Sequence, residues 1–379
     1  MYKSVVENKN LCCGCTACYN ICPTKAIKME VDEEGFEYPI IDEDKCIHCQ
    51  KCRIVCAFKN DLKLNEKNNE VECYAVKHKD NNVVSNSRSG GAFTAFSDVI
   101  LKSNGSIYGS VLDDNLHVCH KKATDYTGRN KMRGSKYVQS KMDNIFSEVL
   151  SDLYDEKKVL FSGTPCQVAG LQKYLSSFNY RGEIFYIDIL CHGVPSPMIL
   201  KKFIELIEKK GKCKKIDFRN KLKYGWKDHV MTFIMDNGRE YNRREYVKMF
   251  YSHNIIRPSC FNCPYKSIYH PGDITIGDYY GIEKLVPRFN DNKGCSLVLV
   301  NTQKGKKLFN KSTYNVNVEM TKLENSLQPV LKGNFELPKS REIFWKDYKK
   351  MDFKKLVKKY GKESISIKIK RELRRKGII

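Results

Sequence analysis

Eight of the 17 cysteines in this 379-residue chain fall in two short runs of identical spacing. Cys12, Cys15, Cys18 and Cys22 read C-x2-C-x2-C-x3-C, with Pro23 next, and Cys46, Cys49, Cys52 and Cys56 repeat the pattern. That spacing binds cubane 4Fe-4S clusters. A tight loop sets three thiolates at three corners of one cluster, and its backbone N–H groups soften the charge on the sulfurs. Gly14 suits such a loop because glycine tolerates positive φ. The fourth cysteine of each run ligates the other cluster. One cluster is therefore assigned Cys12, Cys15, Cys18 and Cys56, and the second Cys46, Cys49, Cys52 and Cys22. Zinc sites pair two C-x2-C hooks and do not need the extra cysteines. Ala57 stands where the first run has Pro23, which weakens the turn but not the ligand count. Cys13 is read as a bystander.

Residues 8–60 thus resemble a two-cluster bacterial ferredoxin, a module that moves single electrons. The other 300 or so residues must supply or consume them. Apolar residues at 41% and charged residues at 29% exclude wholesale disorder. No run nears the ~18 apolar residues of a membrane-spanning helix, and MYKSVVENKN has no signal-peptide core. The expected location is the cytoplasm, where cysteines hold metal or do chemistry more often than they pair. The net charge of +23 is uneven. Residues 1–70 carry a net −2, whereas 346–379 carry +10. A basic surface favours anionic partners without choosing among them.

Residues 63–72 are polar and read as a linker. Ser89-Gly90-Gly91 then opens an amphipathic stretch with Ala92, Ala95, Phe96, Val99 and Ile100 at helical spacing, Ser89 as N-cap and Gly105 as stop. A glycine-rich helix start is a ready phosphate site, though an ordinary capped helix explains the same letters. Val159–Phe161 reads as a strand running into Gly163-Thr164-Pro165-Cys166-Gln167 and a helix. EIFYIDIL is a second strand, ending at Cys191-His192-Gly193, with a helix over 197–210. Short strands follow from Ile216 to Tyr241, at DITIGDYYG and over 295–301. This strand–loop–helix rhythm predicts α/β units with functional loops at strand ends. Neither the Rossmann nor the P-loop fingerprint occurs.

Four later cysteines sit in marked contexts: Cys166 in GTPCQ, Cys191 in CHGVPS, and Cys260 with Cys263 in SCFNCP. Together they would make a four-thiolate site, either a third 4Fe-4S cluster or a structural zinc. Cys73, Cys119, Cys213 and Cys295 read as apolar fillers.

The segments SGGAFTA, GSKYVQSKM, VLFSGTPCQVAGLQKYL, DILCHGVPSP, RPSCFNCPYK and DITIGDYYG, in that order behind the ferredoxin run, resemble the coenzyme F-420 hydrogenase/dehydrogenase beta-subunit family over about residues 8–301. The resemblance implies iron–sulfur clusters, a bound FAD and a ferredoxin module feeding a flavin domain. It implies Ser89, Gly90 and Gly91 at the FAD phosphates, with Lys136, Tyr137, Gln139, Ser140, Gly163, Thr164 and Gln167 lining the flavin or its nucleotide. It also favours a third cluster on Cys166, Cys191, Cys260 and Cys263. No catalytic acid or base is fixed; His192 and Asp278 are the candidates, whose plainer roles are to order a loop and to cap a turn.

The expected fold is mixed, α+β with α/β units: a ferredoxin-like two-cluster module (1–62), a linker and entry segment (63–82) with structure resuming near Tyr74, a mixed α/β flavin-binding domain (83–335) and a basic C-terminal tail (336–379). The expected function is an iron–sulfur flavoprotein oxidoreductase acting on a small molecule, an F-420-like deazaflavin or a saccharide precursor. A ferredoxin or partner redox subunit would exchange electrons with it. Alternatives are an electron-transfer subunit of a hydrogenase or formate dehydrogenase complex and, remotely, an iron–sulfur regulator binding nucleic acid, which no recognition motif supports. In the tail, Phe353, Leu356, Val357 and Tyr360 fall on one helix face among lysines. Such a helix can lie on an anionic membrane; docking on the domain with a solvated basic face is preferred.

Overall fold

The structure, a computed structural model, describes residues 2–59 and 71–362. In the N-terminal module, strands β1 (Tyr2–Ser4), β2 (Ile27–Val31) and β3 (Glu37–Asp42) form an antiparallel sheet in the order β1-β3-β2. Phe36, Tyr38, Ile27 and Val6 pack beneath it. The doubled sequence has a doubled backbone. Gly14 and Thr16 flank Cys15, His48 and Gln50 flank Cys49, and all four adopt positive φ. For Thr16, a β-branched residue, that conformation is costly, so the loop must be over-determined by its surroundings.

The second domain is built on an eight-stranded sheet. Its strands are β4 (Glu72–His78), β5 (Ser106–Leu112), β6 (Val118–Ala123), β7 (Lys158–Gly163), β8 (Glu183–Ile189), β12 (Ile274–Asp278), β13 (Ser296–Val300) and β14 (Val316–Thr321), in the order β14-β4-β13-β12-β8-β7-β5-β6. The four central strands β12, β8, β7 and β5 run parallel, and the flanks pair antiparallel. Alternation decides which face each residue covers. Leu160, Phe185 and Ile187 pack with Phe96, Ile100 and Phe309 on one face. Val159, Phe161, Ile184 and Tyr186 pack with Phe146, Leu153 and Leu171 on the other. With both faces covered, the central strands read as near-continuous apolar runs. A smaller antiparallel sheet, β9 (Cys213–Asp217), β10 (Met231–Met235) and β11 (Glu240–Arg243), packs with the helix Pro197–Glu208.

Residues 63–70 lie outside the described residues, and Glu72–His78, in the entry segment, is strand β4, paired with both β13 and β14. One expectation shifts. Ser89 is not an N-cap. The helix is Ala92–Leu101, capped by Gly91 at φ 93°, because the Ser89 hydroxyl donates instead to the Cys295 carbonyl at 2.5 Å. Of the tail, Ser340–Lys350 and Phe353–Tyr360 are helices docked on the domain, with Leu356 and Val357 buried in the core of the smaller sheet. Residues 363–379 lie outside the described residues.

Candidate functional site

Burial pushes the Cys18 thiol well above its ordinary range, and Cys15, Cys12, Cys56 and Cys52 add to the push. Burial likewise raises Cys52, where the neighbours are Cys22, Cys46 and Cys49. Cys15 and Cys12 of the first set meet the second domain at Gly170 and Arg257, whereas Cys49 of the second set is exposed. The first set is therefore called inner and the second outer.

The inner set lies against the helix Pro165–Leu175. A Cβ placed on Gly170 would stand 2.6 Å from Cys15 Sγ, so glycine is what lets helix and loop meet. Cys166 opens that helix. Hydrogen bonding from Cys13 lowers its thiol to about 7, and Cys13 also bonds to Cys15. Cys13, read as a bystander, thus sits between the two groups. Burial raises the Cys191 thiol to about 12, with Cys260 and Cys166 contributing, and Cys263 feels Cys166, Cys260 and Cys191. The four late cysteines are brought together. Among the described residues no three His, Cys, Asp or Glu side chains converge on a single-ion site. Cys73, Cys119, Cys213 and Cys295 are buried away from these groups, as fillers should be.

Beyond Cys191 opens a cleft with about 1530 Å3 of empty space. It lies at the carboxyl ends of the parallel strands, where open α/β sheets bind ligands. Gly163 ends β7 and Thr164 follows it, Cys191 and His192 follow β8, and Asp278 ends β12; the 132–138 segment and Ser87–Phe93 close it. One end is cationic. Arg88 donates to Asp217 at 3.0 Å while its buried Nε has no partner, and Arg133 donates to Thr94 Oγ1 at 3.0 Å. Ala92 and Phe93, at the start of a helix without a side-chain cap, line the same end. The positive end of a helix and guanidinium groups together suit an anion.

The residues carried over from the resemblance fare differently. Ser89, Gly91, Lys136, Tyr137, Ser140, Gly163, Thr164 and Gln167 all line the cleft. The Lys136 ammonium is spent inward on the carbonyls of Ser110, Lys131, Met132 and Arg133. It holds the loop rather than a ligand, and burial lowers its pKa to about 7. Gly90 is pinned between strands, donating to Ser296 Oγ at 3.0 Å. Gln139 reaches the ferredoxin module, donating to the Cys13 carbonyl at 3.1 Å. Gln167 donates to Ser140 Oγ, which pairs with His120 Nδ1 at 2.8 Å.

Of the acid–base candidates, His192 stacks on Phe335 at 6.0 Å, and burial pushes its pKa down to about 4. Burial opposes the charge on Asp278, but Arg219, 2.6 Å away, outweighs it and holds the carboxyl below the usual range. Trp226 Nε1 at 2.9 Å and the Tyr280 hydroxyl at 3.0 Å also donate to it. The Tyr280 hydroxyl lies 3.3 Å from His229 Nε2, and Tyr251 lies 3.1 Å from Nδ1. Sequence reading missed Arg88, His120, Arg133, Arg219, His229, Tyr251, Arg257 and Tyr280. Arg88 adjoins SGG and Arg257 precedes the SCFNC hook, so two of them were within reach.

His120 carries a pH prediction. Its Nε2 lies 3.0 Å from the Ser162 carbonyl, which can only accept, so Nε2 bears the hydrogen and Nδ1 accepts from Ser140. Burial lowers its pKa from 6.5 to about 4. Between those values the unfolded chain binds the extra proton, so stability is full above pH 6.5 and falls as pH drops toward 4. Acidification from pH 7 to 5.5 is expected to cost the wild type ~1 kcal/mol more than His120→Gln in urea denaturation. Equal losses in both proteins would show that His120 is not held neutral.

Among known proteins, residues 156–326 match the family described as the C terminus of the coenzyme F420 hydrogenase/dehydrogenase beta subunit, and residues 11–60 match the 4Fe-4S dicluster domain. An uncharacterized polyferredoxin-like protein of Methanocaldococcus jannaschii is 39% identical over 62 residues, which cover 14% of this chain and 36% of that protein. A chain from the xenon-derivatized F420-reducing [NiFe] hydrogenase complex of Methanosarcina barkeri superposes with a TM-score of 0.46 at 17% identity, over 76% of this chain and 87% of that one. The cysteine runs and the family matches together show an iron–sulfur domain joined to a domain similar to that of an oxidoreductase subunit. Residues 156–326 thus carry a domain similar to the C terminus of the coenzyme F420 hydrogenase/dehydrogenase beta subunit, behind a 4Fe-4S dicluster domain at 11–60. Among the described residues no helix is long and apolar enough to cross a membrane.

Proposed function

We propose that the chain is an iron–sulfur flavoprotein oxidoreductase, in which a two-cluster module (1–62) serves a flavin domain (83–335). The observation that carries the reading is the order of the thiol groups along the fold. The outer set reaches solvent at Cys49, the inner set abuts Gly170, Cys13 links Cys15 with Cys166, and Cys191 belongs both to the late set and to the cleft wall. The late thiols feel one another without converging as ligands of one ion, which suits a third 4Fe-4S cluster better than zinc. Four cubane thiolates bind four different irons and so stand farther apart.

FAD fits the cleft chemically. The orphaned Arg88 Nε, Arg133 and the uncapped start of Ala92–Leu101 would hold its phosphates, and the backbone of the 132–138 loop, held by Lys136, would frame it. When bound, FAD exchanges electrons singly with iron–sulfur clusters and in pairs with an organic substrate. The protein's own residues exclude water and set charge. His120 and Gln167 fix the wall beside Thr164, and Arg219 keeps Asp278 ionised at the substrate end. Tyr251, His229 and Tyr280 form a hydrogen-bonded row from that end, able to move a proton between hydroxyl and imidazole. The substrate class is an F-420-like deazaflavin or a saccharide precursor, with a ferredoxin or partner redox subunit at the outer set. The family match also supports service as an electron-transfer subunit of a hydrogenase or formate dehydrogenase complex.

The test is iron, acid-labile sulfide and released flavin per chain, on anaerobically purified and reconstituted protein. The expected result is about twelve irons and one FAD. About eight irons with FAD would remove the third cluster alone. Iron without flavin would overturn the flavoprotein reading and leave an electron carrier.

A further inference from the structure

Three arginines among the described residues are almost wholly buried: Arg129, Arg219 and Arg257. Arg129 pairs with Asp98 at 2.5 Å and Arg219 with Asp278 at 2.6 Å. Arg257, at 0% exposure, has no carboxylate partner among the described residues. Its Nε donates to the Cys12 carbonyl at 2.6 Å, one terminal nitrogen to Gln139 Oε1 at 3.0 Å, and the other to the Glu37 carbonyl at 2.9 Å. The guanidinium also lies over the Tyr38 ring at 4.2 Å. All of these acceptors are neutral; Glu37 contributes its backbone, not its carboxylate. A buried cation without a counter-charge is among the costliest things a fold can hold. The remaining contact resolves this: Arg257 donates to Cys12 Sγ at 3.6 Å.

We infer that Arg257 is the counter-charge of the inner cluster site, with its guanidinium aimed at the Cys12 thiolate, and that it biases this site toward the reduced state relative to the outer one. The inference rests on reading the Cys12 set as a cluster site. Hydrogen bonds to the sulfurs and nearby charge set the potential of such a site. A cation in a low-dielectric surrounding favours whichever state carries more negative charge. The approach is built into the fold. A Cβ on Gly14 would stand 2.7 Å from Gln139 Nε2 and 2.9 Å from an Arg257 terminal nitrogen, so the glycine admits the fork to the loop. The outer set has no equivalent among the described residues. Its sulfur contacts include the Ala26 N–H and the Thr24 hydroxyl at Cys22 and the His48 ring at Cys46, and the cations beside it, Lys45, Lys51 and Arg53, are exposed, where solvent and salt screen them.

The test compares wild type, Arg257→Lys and Arg257→Gln as full-length, anaerobically reconstituted protein. Iron is counted and each cluster's potential is read by EPR-monitored redox titration. The inner signal is identified as the one lost on Cys12→Ser. In Arg257→Gln the inner site is expected to lose electron occupancy relative to the outer site at least tenfold, about 59 mV for a one-electron couple. Arg257→Lys, which keeps the charge, should shift by less than half as much. Selective loss of one cluster's iron in the Gln variant, restored by Lys, would equally support the counter-charge. An unshifted inner potential in loaded Arg257→Gln would overturn the inference, as would equal shifts in both variants or equal shifts at both sites. A wild type that takes up no iron at the Cys12 set would overturn the cluster reading itself, and the inference with it.

Discussion

Replacing Asp278 with alanine is expected to lower the unfolding free energy by about 3–5 kcal/mol, the usual consequence of stripping one partner from a buried ion pair. Arg219 makes this the sensitive position. Its side chain is 0% exposed, its only charged partner among the described residues is Asp278, its Nε has no acceptor, and its remaining contact is the Trp226 carbonyl. Without the carboxylate, the guanidinium stays buried and unneutralised, and Trp226 Nε1 and the Tyr280 hydroxyl lose their acceptor. Asp278→Ala combined with Arg219→Met removes the stranded charge. The double variant should therefore recover part of the loss, with a coupling of about 2–3 kcal/mol in the cycle. Denaturation followed by circular dichroism checks both values. A single-variant loss under ~1 kcal/mol would show that Arg219 finds another partner. The same pairing bears on chemistry. A carboxylate held below its usual range stays ionised at neutral pH and cannot donate a proton there. Asp278→Asn should weaken the protein without moving a pH optimum near neutrality.

What was legible in the sequence follows from how far each interaction reaches. The eight N-terminal cysteines carry their spacing within a few residues, so the runs alone pointed to the 4Fe-4S dicluster domain that residues 11–60 match. The central strands announced themselves as short apolar runs because both their faces are covered, as Leu160 and Phe161 illustrate by packing on opposite sides. The site's polar wiring was not legible. Arg257 meets Cys12 across 245 positions, and Arg219 meets Asp278 across 59. No periodicity encodes such pairs. The reading of Ser89 failed for the same reason. Its letters suit an N-cap, but a carbonyl 206 positions away takes the hydroxyl. Their segment assigned Lys136 and Gln139 to the flavin site, but it could not say that their side chains turn to loop carbonyls and to the Cys13 carbonyl, nor that Gln139 stands outside the cleft lining.

Gly90 separates a structural from a ligand-binding origin for the Ser-Gly-Gly segment, and Gly90→Ala is expected to be the most damaging small substitution in it. A Cβ there would stand 2.2 Å from the Val76 carbonyl oxygen, 2.7 Å from the Ser296 nitrogen and 3.2 Å from Cys295 Cα. All three belong to backbone at or beside β4 and β13, neighbours in the large sheet, and cannot swing aside as a side chain would. Gly90 itself cannot retreat. Its carbonyl accepts from the His78 N–H at 2.7 Å and its N–H donates to Ser296 Oγ. Overpacking of yielding side chains costs about 1–3 kcal/mol; with backbone on three sides the loss should exceed ~3 kcal/mol and lower the yield of folded protein. Gly91 provides the contrast. A Cβ there meets only the side chains of His78 and Val83 at close range, 3.0 and 3.1 Å, but its φ of 93° burdens any L-residue. Gly91→Ala should cost about 1–2 kcal/mol and leave a folded protein. That variant, not Gly90→Ala, is the one in which to read flavin retention, because Gly91 lines the cleft and caps the helix that faces it. If Gly90→Ala were as stable as wild type and merely lost flavin, the close approach of this backbone to β4 and β13 would be wrong.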